Sequence, residues 1–157
     1  MPKRSAGLLM YRRAGPDFSV LLVHPGGPFW AKKDLGAWSI PKGEYADGED
    51  PLAVARREFE EETGGRPQGE FLPLGEVKQA GGKRVSAWAL EGDFDPANLV
   101  SNTFELEWPP RSGRQARFAE VDRAEWFAPG VAREKILPGQ RPFIDRLAEL
   151  IAPQPSS

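Results

Sequence analysis

The strongest constraint in the sequence is an acidic helix near the middle of the chain. An aspartate and then a proline precede Leu52, and two glycines follow Thr63. An aspartate caps free backbone N–H groups, proline suits the first helical turn, and glycine adopts the left-handed conformation that ends helices. The sequence therefore predicts a helix over Pro51–Thr63.

This helix is predicted to have an apolar face and an acidic face. Three apolar residues follow the helical repeat and are expected to face the core: Leu52, Ala55 and Phe59. Glu58 and Glu62 form a like-charge i,i+4 pair, which costs about 0.2–0.5 kcal/mol when exposed. Either this face is simply solvated, or a divalent cation such as Mg²⁺, which binds carboxylates together with substrate phosphates, compensates its charge.

A longer pattern contains the acidic helix. It reads Gly43, five residues, Glu49, seven residues, and then Arg57-Glu58-Phe59-Glu60-Glu61-Glu62-Thr63-Gly64. This pattern resembles the Nudix box, G-x5-E-x7-R-E-U-x-E-E-x-G-U, in which U is a bulky apolar residue. Every fixed position matches except the last, where Gly65 replaces the apolar residue. The resemblance continues through the lead-in Trp38–Gly43 and covers most of the chain.

The resemblance implies an α/β fold, the Nudix α/β/α sandwich around a mixed β-sheet. The order of predicted elements is compatible with it. Strands are predicted over Ser5–Arg12, Phe18–His24, Phe71–Val77, Arg84–Leu90, Thr103–Trp108 and Glu125–Phe127, and a final helix over Pro142–Ile151. The segments Pro25–Pro41 and PPRSGRQARF are predicted as loops. We expect one domain over residues 1–152, followed by a flexible tail over residues 153–157.

The resemblance also implies a metal site and assigns roles to the residues of the box. The metal ligands would be Glu58, Glu61, Glu62 and the Gly43 carbonyl, and the ion Mg²⁺, with Mn²⁺ as the alternative. Arg57 and Glu49 would form an ion pair that orients the loop and the helix, as their opposite charges also favour. Bound metal would neutralise phosphate charge and activate water.

The general base that deprotonates this water comes either from the box helix or from a later loop in family members, and three candidates lie outside the box. Glu120 resembles the later-loop position used in some family members and is placed first. Glu105 and Glu107 are competitors, because strand alternation puts them on one face of the strand predicted over Thr103–Trp108. The alternative for each is an ordinary surface carboxylate.

Cations and aromatic rings provide candidate substrate contacts. Lys42 beside Gly43 is placed best, and the candidates further away are Trp30, Arg111, Arg114, Arg117 and His24. Trp30 could stack on a nucleobase, and the arginines form a basic loop next to Glu120. Trp38 is expected in the core. His24, the one histidine, either reaches the mouth of the site or is a hydrogen-bonded structural residue.

The expected function is Mg²⁺-dependent hydrolysis of a diphosphate linkage in a nucleoside triphosphate or another nucleoside diphosphate linked to a group X. The alternatives are hydrolysis of dinucleoside polyphosphates, pyrophosphohydrolysis at an RNA 5′ end, and a non-catalytic nucleotide-binding module. The tyrosine that marks many dinucleoside polyphosphate hydrolases after the box is absent, since the two tyrosines are Tyr11 and Tyr45. A cysteine nucleophile is excluded, because the chain has no cysteine.

Charge and hydropathy limit the partners. The formal charge of −2 gives no broad basic surface for duplex nucleic acid. No apolar run approaches the roughly 20 residues of a membrane-spanning helix, so no membrane partner is expected and a cytoplasmic location is predicted. No periodic apolar face is left without a core role, so the sequence does not indicate the oligomeric state.

Overall fold

The computed structural model describes residues 3–152. Its strands are β1 (Arg4–Ala14), β2 (Asp17–Pro25), β3 (Lys42–Glu44), β4 (Leu72–Lys78), β5 (Arg84–Glu91), β6 (Thr103–Glu107), β7 (Gln115–Ala119) and β8 (Val121–Phe127). Its α-helices are α1 (Pro51–Thr63), α2 (Pro129–Lys135) and α3 (Arg141–Ile151). Within residues 3–152, no helix is long and apolar enough to cross a membrane.

Six strands form one mixed sheet. The strand order is β4-β5-β1-β2-β8, and the short β3 pairs with the first part of β1. The central β1 is parallel to β5, whereas β1 pairs antiparallel with β2 and β3. Because successive residues of a strand point to opposite faces, the continuous apolar run Leu8-Leu9-Met10-Tyr11 supplies both faces of the sheet.

Each face of the sheet is covered by helix. Leu8 and Met10 pack with Val54, Ala55 and Phe59 of α1 in one core. The neighbouring residues of β1, Leu9 and Tyr11, pack instead in a second core with Phe143 and Leu147 of α3 and Ala132 of α2. The predicted α/β/α sandwich is therefore confirmed, and the sheet separates two apolar cores.

Most predicted elements are confirmed to within a few residues. The first hairpin, the acidic helix, β4, β5, β6 and the final helix are all present. The last predicted strand is longer than expected, since β8 begins at Val121 instead of Glu125. The predicted tail over residues 153–157 lies outside the described residues.

Three elements were not predicted. β3 has only three residues and takes its partner from β1, so it has no periodicity of its own. α2 has seven residues and one fully buried side chain, Ala132. The segment PPRSGRQARF was wrongly predicted as loop throughout, because β7, which pairs with β6, begins within it at Gln115.

β6 and β7 form a separate two-stranded sheet, which we call the arm (Thr103–Ala119). Its apolar face carries Phe104 and Phe118, whose ring centroids are 6.0 Å apart. Two glycines let the loop after β2 approach the arm closely: a Cβ at Gly26 would overlap with the Ala119 carbonyl, and one at Gly27 would lie 3.0 Å from the Phe104 ring. The arm is thus held at one edge of the main sheet.

The departure from the box at Gly65 has a packing explanation. The ring of Phe94 lies against Gly65, where a Cβ would come within 3.0 Å of Phe94 Cδ2 and 3.5 Å of Phe59. Phe94 also packs edge-to-face on Phe59, with centroids 6.4 Å apart. Phe94 therefore fills the space next to Phe59 that an apolar residue at position 65 would occupy.

Candidate active site

The carboxylate of Glu58 lies directly over Gly43. A Cβ at position 43 would overlap with the Glu58 side chain, so the site requires glycine there for close approach and not for an unusual backbone angle. Gly43 itself is fixed by the pairing of β3 with Ala6 of β1. A glutamate of α1 and the backbone of β3 are thereby brought together.

Arg57 and Glu62 tie α1 to the preceding loop. Arg57 lies 3.6 Å from Glu49 and 3.6 Å from Glu58, so one guanidinium contacts both carboxylates. Glu49 also accepts a hydrogen bond of 2.9 Å from the Ala46 backbone N–H. On the inner side of the helix, Glu62 Oε2 accepts a hydrogen bond of 3.0 Å from the Lys42 backbone N–H.

The arm brings Glu120 to the end of α1. Asn102 bridges the two elements, because its N–H donates to the Glu61 carbonyl and its carbonyl accepts from the Glu120 N–H, both at 2.8 Å. Val100 N–H donates to the Thr63 carbonyl at 2.9 Å in the same way. Glu120 is therefore positioned by backbone hydrogen bonds and not by its place in a regular strand.

A cavity of about 360 Å³ opens beside these residues. Its polar lining consists of Ser39, Lys42, Glu62, Gln79, Lys83 and Glu120, and its apolar lining of Val23, Pro25, Trp30, Ala37, Ile40, Val121 and Leu137. Apolar walls with a few fixed polar groups are typical of small-molecule sites. Two carboxylates and two lysines facing one cavity suit a ligand that is anionic and reaches the protein together with a cation.

The electrostatics of this region favour binding of positive charge. Burial, followed by the repulsion of Glu58, raises the pKa of Glu62 from 4.5 to about 9. Burial and the neighbouring Glu61 carboxylate raise the pKa of both Glu58 and Glu120. Burial lowers the pKa of Lys42, although Glu62 opposes this effect. A cation bound among these carboxylates would relieve their repulsion.

The donor set fits a hard divalent cation. Carboxylate oxygens and a backbone carbonyl are the ligands that Mg²⁺ prefers. Between residues 3 and 152, however, no three acidic or histidine side chains are gathered at the spacing of metal ligands. Glu62 is turned toward the Lys42 N–H instead, so the ligand set requires rotamer changes at the end of α1.

The remaining predicted contacts fall into two groups. Trp30 lines the cavity, and Lys33 Nζ lies 4.9 Å from the centre of its ring. The predicted basic cluster does not line the cavity, because Arg111, Arg114 and Arg117 are exposed on the arm. Two of the three candidate bases also lie outside it: Glu105 is 3.4 Å from Arg117, and Glu107 accepts a hydrogen bond from the Arg111 N–H.

His24 is a structural residue and does not reach the mouth of the site. It is fully buried, and its Nδ1 lies 2.8 Å from Asp122 Oδ1. Its Nε2–H donates to the Lys33 carbonyl at 2.7 Å, so both ring nitrogens are engaged by protein. Strand alternation explains the placement, because Val23 and Pro25 on either side line the cavity. His24 packs against Trp38, which is buried in the core as expected.

Three polar residues near the cavity were missed by sequence reasoning. Gln79 and Lys83 come from the turn between β4 and β5, and fully buried Gln140 lies just before α3. A short polar turn has no local signal that distinguishes a site residue from a solvated one. Asn102 was missed for the same reason, since its role depends on backbone bonds across the fold.

Comparison with known proteins agrees with the fold and the box. A family model described as the NUDIX domain matches residues 1–147. An RNA pyrophosphohydrolase of Caulobacter vibrioides is 31% identical over 109 residues, which are 66% of this chain and 55% of that protein. A Myxococcus xanthus protein named octanoyltransferase is 30% identical over 135 residues, 86% of this chain but 33% of that protein.

Solved structures agree with the fold. A crystal structure of a C. elegans Ap4A hydrolase binary complex aligns with a TM-score of 0.64 and 20% identity, over 96% of this chain and 98% of that chain.

The chain spans about a third to a half of the length of the two sequence relatives above. This chain belongs to the Nudix family.

Proposed function

We propose that this protein hydrolyses a diphosphate linkage in a nucleoside triphosphate or another nucleoside diphosphate linked to a group X, in a reaction that depends on Mg²⁺. The observation that carries the proposal is a single cavity lined by Glu62, Glu120 and Lys42. The Glu58 side chain, which belongs to α1 like Glu62, lies against Gly43. Hydrolysis of a diphosphate needs a cation for the phosphates, an activated water and a base.

In the proposed mechanism each residue has one role. Glu58, Glu61, Glu62 and the Gly43 carbonyl would hold the metal, which would neutralise phosphate charge and lower the pKa of a water. Glu120 accepts the proton of the attacking water, a role that its place in the cavity lining beside Glu62 suits. Lys42 contacts phosphate oxygens, and Arg57 holds Glu49 and Glu58 in place. Trp30 offers an aromatic face to a nucleobase.

A panel assay tests this proposal. Phosphate and pyrophosphate release would be measured from nucleoside triphosphates, dinucleoside polyphosphates and nucleotide sugars, with Mg²⁺ and with EDTA. We expect metal-dependent turnover of at least one group. Glu61→Gln should abolish it, whereas Glu60→Gln, an exposed position of the same helix, should not. Turnover that survives in EDTA or in Glu61→Gln would contradict the metal assignment. Silence across the panel with nucleotide binding retained would indicate a binding module.

The arm favours a second candidate substrate, a triphosphorylated RNA 5′ end. The base of the arm lies next to Glu120, and the arm carries Arg111, Arg114 and Arg117. Near its tip, Trp108 packs edge-to-face on Phe29, which is 60% exposed. Cationic and aromatic side chains together suit single-stranded nucleic acid. A triphosphorylated oligonucleotide that is cleaved more efficiently than the matching nucleoside triphosphate, with the advantage lost on Arg114→Glu, would support this candidate.

A further inference from the structure

Gln140, just before α3, forms a fully buried amide network behind the cavity. Its Oε1 accepts a hydrogen bond of 3.1 Å from the Ile40 backbone N–H. Its Nε2 donates to Ser39 Oγ at 3.0 Å and to Gln79 Oε1 at 3.1 Å. Every hydrogen-bonding hydrogen of this amide is used, and the Ile40 N–H admits only an acceptor. The amide of Gln140 therefore has one orientation.

This orientation fixes the amide of Gln79 in turn. Because Gln140 donates to Gln79 Oε1, the Nε2 of Gln79 points away from Gln140. Among residues 3–152, no group accepts a hydrogen bond from that Nε2. The backbone of Gln79 is fixed too, since its N–H donates to the Lys83 carbonyl at 2.7 Å, and a Cβ at Gly139 would lie only 3.1 Å from its Cα.

Gln79 faces the cavity that contains Lys42 and Lys83. We infer that Gln79 is a specificity-determining residue, which presents an N–H donor to an acceptor oxygen of the substrate, and that Gln140 is the residue that positions it. The acceptor is either a phosphate oxygen beside the two lysines or a carbonyl oxygen of the base. This inference deepens the proposed function, since it concerns the same cavity.

Gln79→Glu is the sharpest test, because it keeps the shape of the side chain and replaces the donor by an acceptor. The dissociation constants of methylene-bridged, uncleavable analogues of ATP, CTP, GTP and UTP would be measured by calorimetry. Losing a hydrogen bond to a charged or carbonyl oxygen, and adding repulsion, should raise Kd by about 10-fold to 100-fold. Gln68→Glu makes the same change at an exposed position away from the cavity and should leave Kd within about twofold.

The four nucleotides distinguish the two acceptors. A similar rise for all four identifies a phosphate oxygen, because all four share it. A rise confined to GTP and UTP, whose bases carry a carbonyl where ATP and CTP carry an amino group, identifies the base. If the Kd values for all four stay within about twofold of those of the unchanged protein, the inference is overturned.

Gln140→Met tests the positioning role. A methionine at position 140 has a similar length but no donor, so the Gln79 amide loses the hydrogen bond that fixes its orientation and no longer holds its N–H toward the cavity. We expect the same pattern of raised Kd and KM as in Gln79→Glu, with kcat changed by less than about threefold. An altered kcat with unchanged KM would contradict it. If this variant does not fold, the Gln79→Glu result decides alone.

These outcomes separate the inference from the proposed function. Binding that depends on Gln79 without turnover of any substrate would retain the inference and refute the proposed hydrolysis. Turnover that is insensitive to Gln79→Glu would do the reverse.

Discussion

Replacing Glu62 by glutamine should stabilise the metal-free protein, although it removes a proposed metal ligand. Glu62 is only 9% exposed, and burial together with the neighbouring Glu58 carboxylate raises its pKa from 4.5 to about 9. Its one hydrogen bond, from the Lys42 N–H, reaches an oxygen that glutamine also has. The substitution is thus close in shape and removes only the ionisable group.

The pKa values set the pH window of the effect. The unfolded chain loses the Glu62 proton near pH 4.5, whereas the folded protein keeps it up to about pH 9. Between these values the folded state binds more protons than the unfolded state, so the free energy of unfolding falls as the pH rises. The stabilising contribution is complete below pH 4.5 and is lost as the pH approaches 9. Proton linkage therefore lowers the free energy of unfolding by about 3 kcal/mol between pH 4.5 and pH 7, and by about 0.7 kcal/mol between pH 4.5 and pH 5.

Urea unfolding in EDTA at pH 5 and pH 7 measures the effect. The free energy of unfolding of Glu62→Gln should exceed that of the unchanged protein by about 3 kcal/mol at pH 7 and by less than about 1 kcal/mol at pH 5. Glu60→Gln, whose ion pair with Arg66 is exposed, should change stability by less than about 0.5 kcal/mol at both. Saturating Mg²⁺ should shrink or reverse the advantage, because a ligand stabilises the state that binds it. A glutamine variant no more stable than its parent at pH 7, or equally stabilised at both pH values, refutes the burial argument.

Three further substitutions give distinct results. Glu120→Gln should lower kcat by about 10²-fold to 10⁴-fold with KM little changed, and Glu107→Gln should not; steady-state kinetics showing equal effects would reject Glu120 as the base. Gly43→Ala should displace Glu58 and reduce kcat/KM by about 10²-fold while circular dichroism shows an intact fold, and full activity would contradict the close approach. His24→Leu should cost about 2–3 kcal/mol in urea unfolding, since it removes the donor to the Lys33 carbonyl and the imidazole contact of Asp122, and unchanged stability would rule this out.

Elements with their own local signals could be predicted from the sequence. The acidic helix begins and ends at the predicted residues, because proline at its start and the left-handed Gly64 at its end act locally. β3 and β7 could not be found in the same way. β3 is a strand only because β1 lies beside it, and β7 has only five residues, which follow directly on the polar turn at the tip of the arm.

The same distinction between local signals and contacts across the fold applies to the residues of the site. Residues of the box were assigned through their resemblance to the family pattern, and local loop and helix geometry brings Gly43, Glu58 and Glu62 together. Gln79 and Gln140 are 61 positions apart in the sequence, and neither belongs to a motif. Their contact arises from the packing of the β4–β5 turn against the segment before α3. Nothing in the sequence near either residue encodes this contact.

The separation of the two cores has a consequence for how this protein can change. Side chains such as Phe143 and Leu147 pack beneath α3, on the opposite side of the sheet from the helix that carries the acidic residues. Substitutions there alter the margin against unfolding, and the sheet separates them from the carboxylates of α1. Phe59 packs on the inner face of α1, where a change in side-chain volume moves the carboxylates of this helix. Directed evolution should therefore find gains in thermal tolerance mainly on the α3 side and changes in turnover on the α1 side.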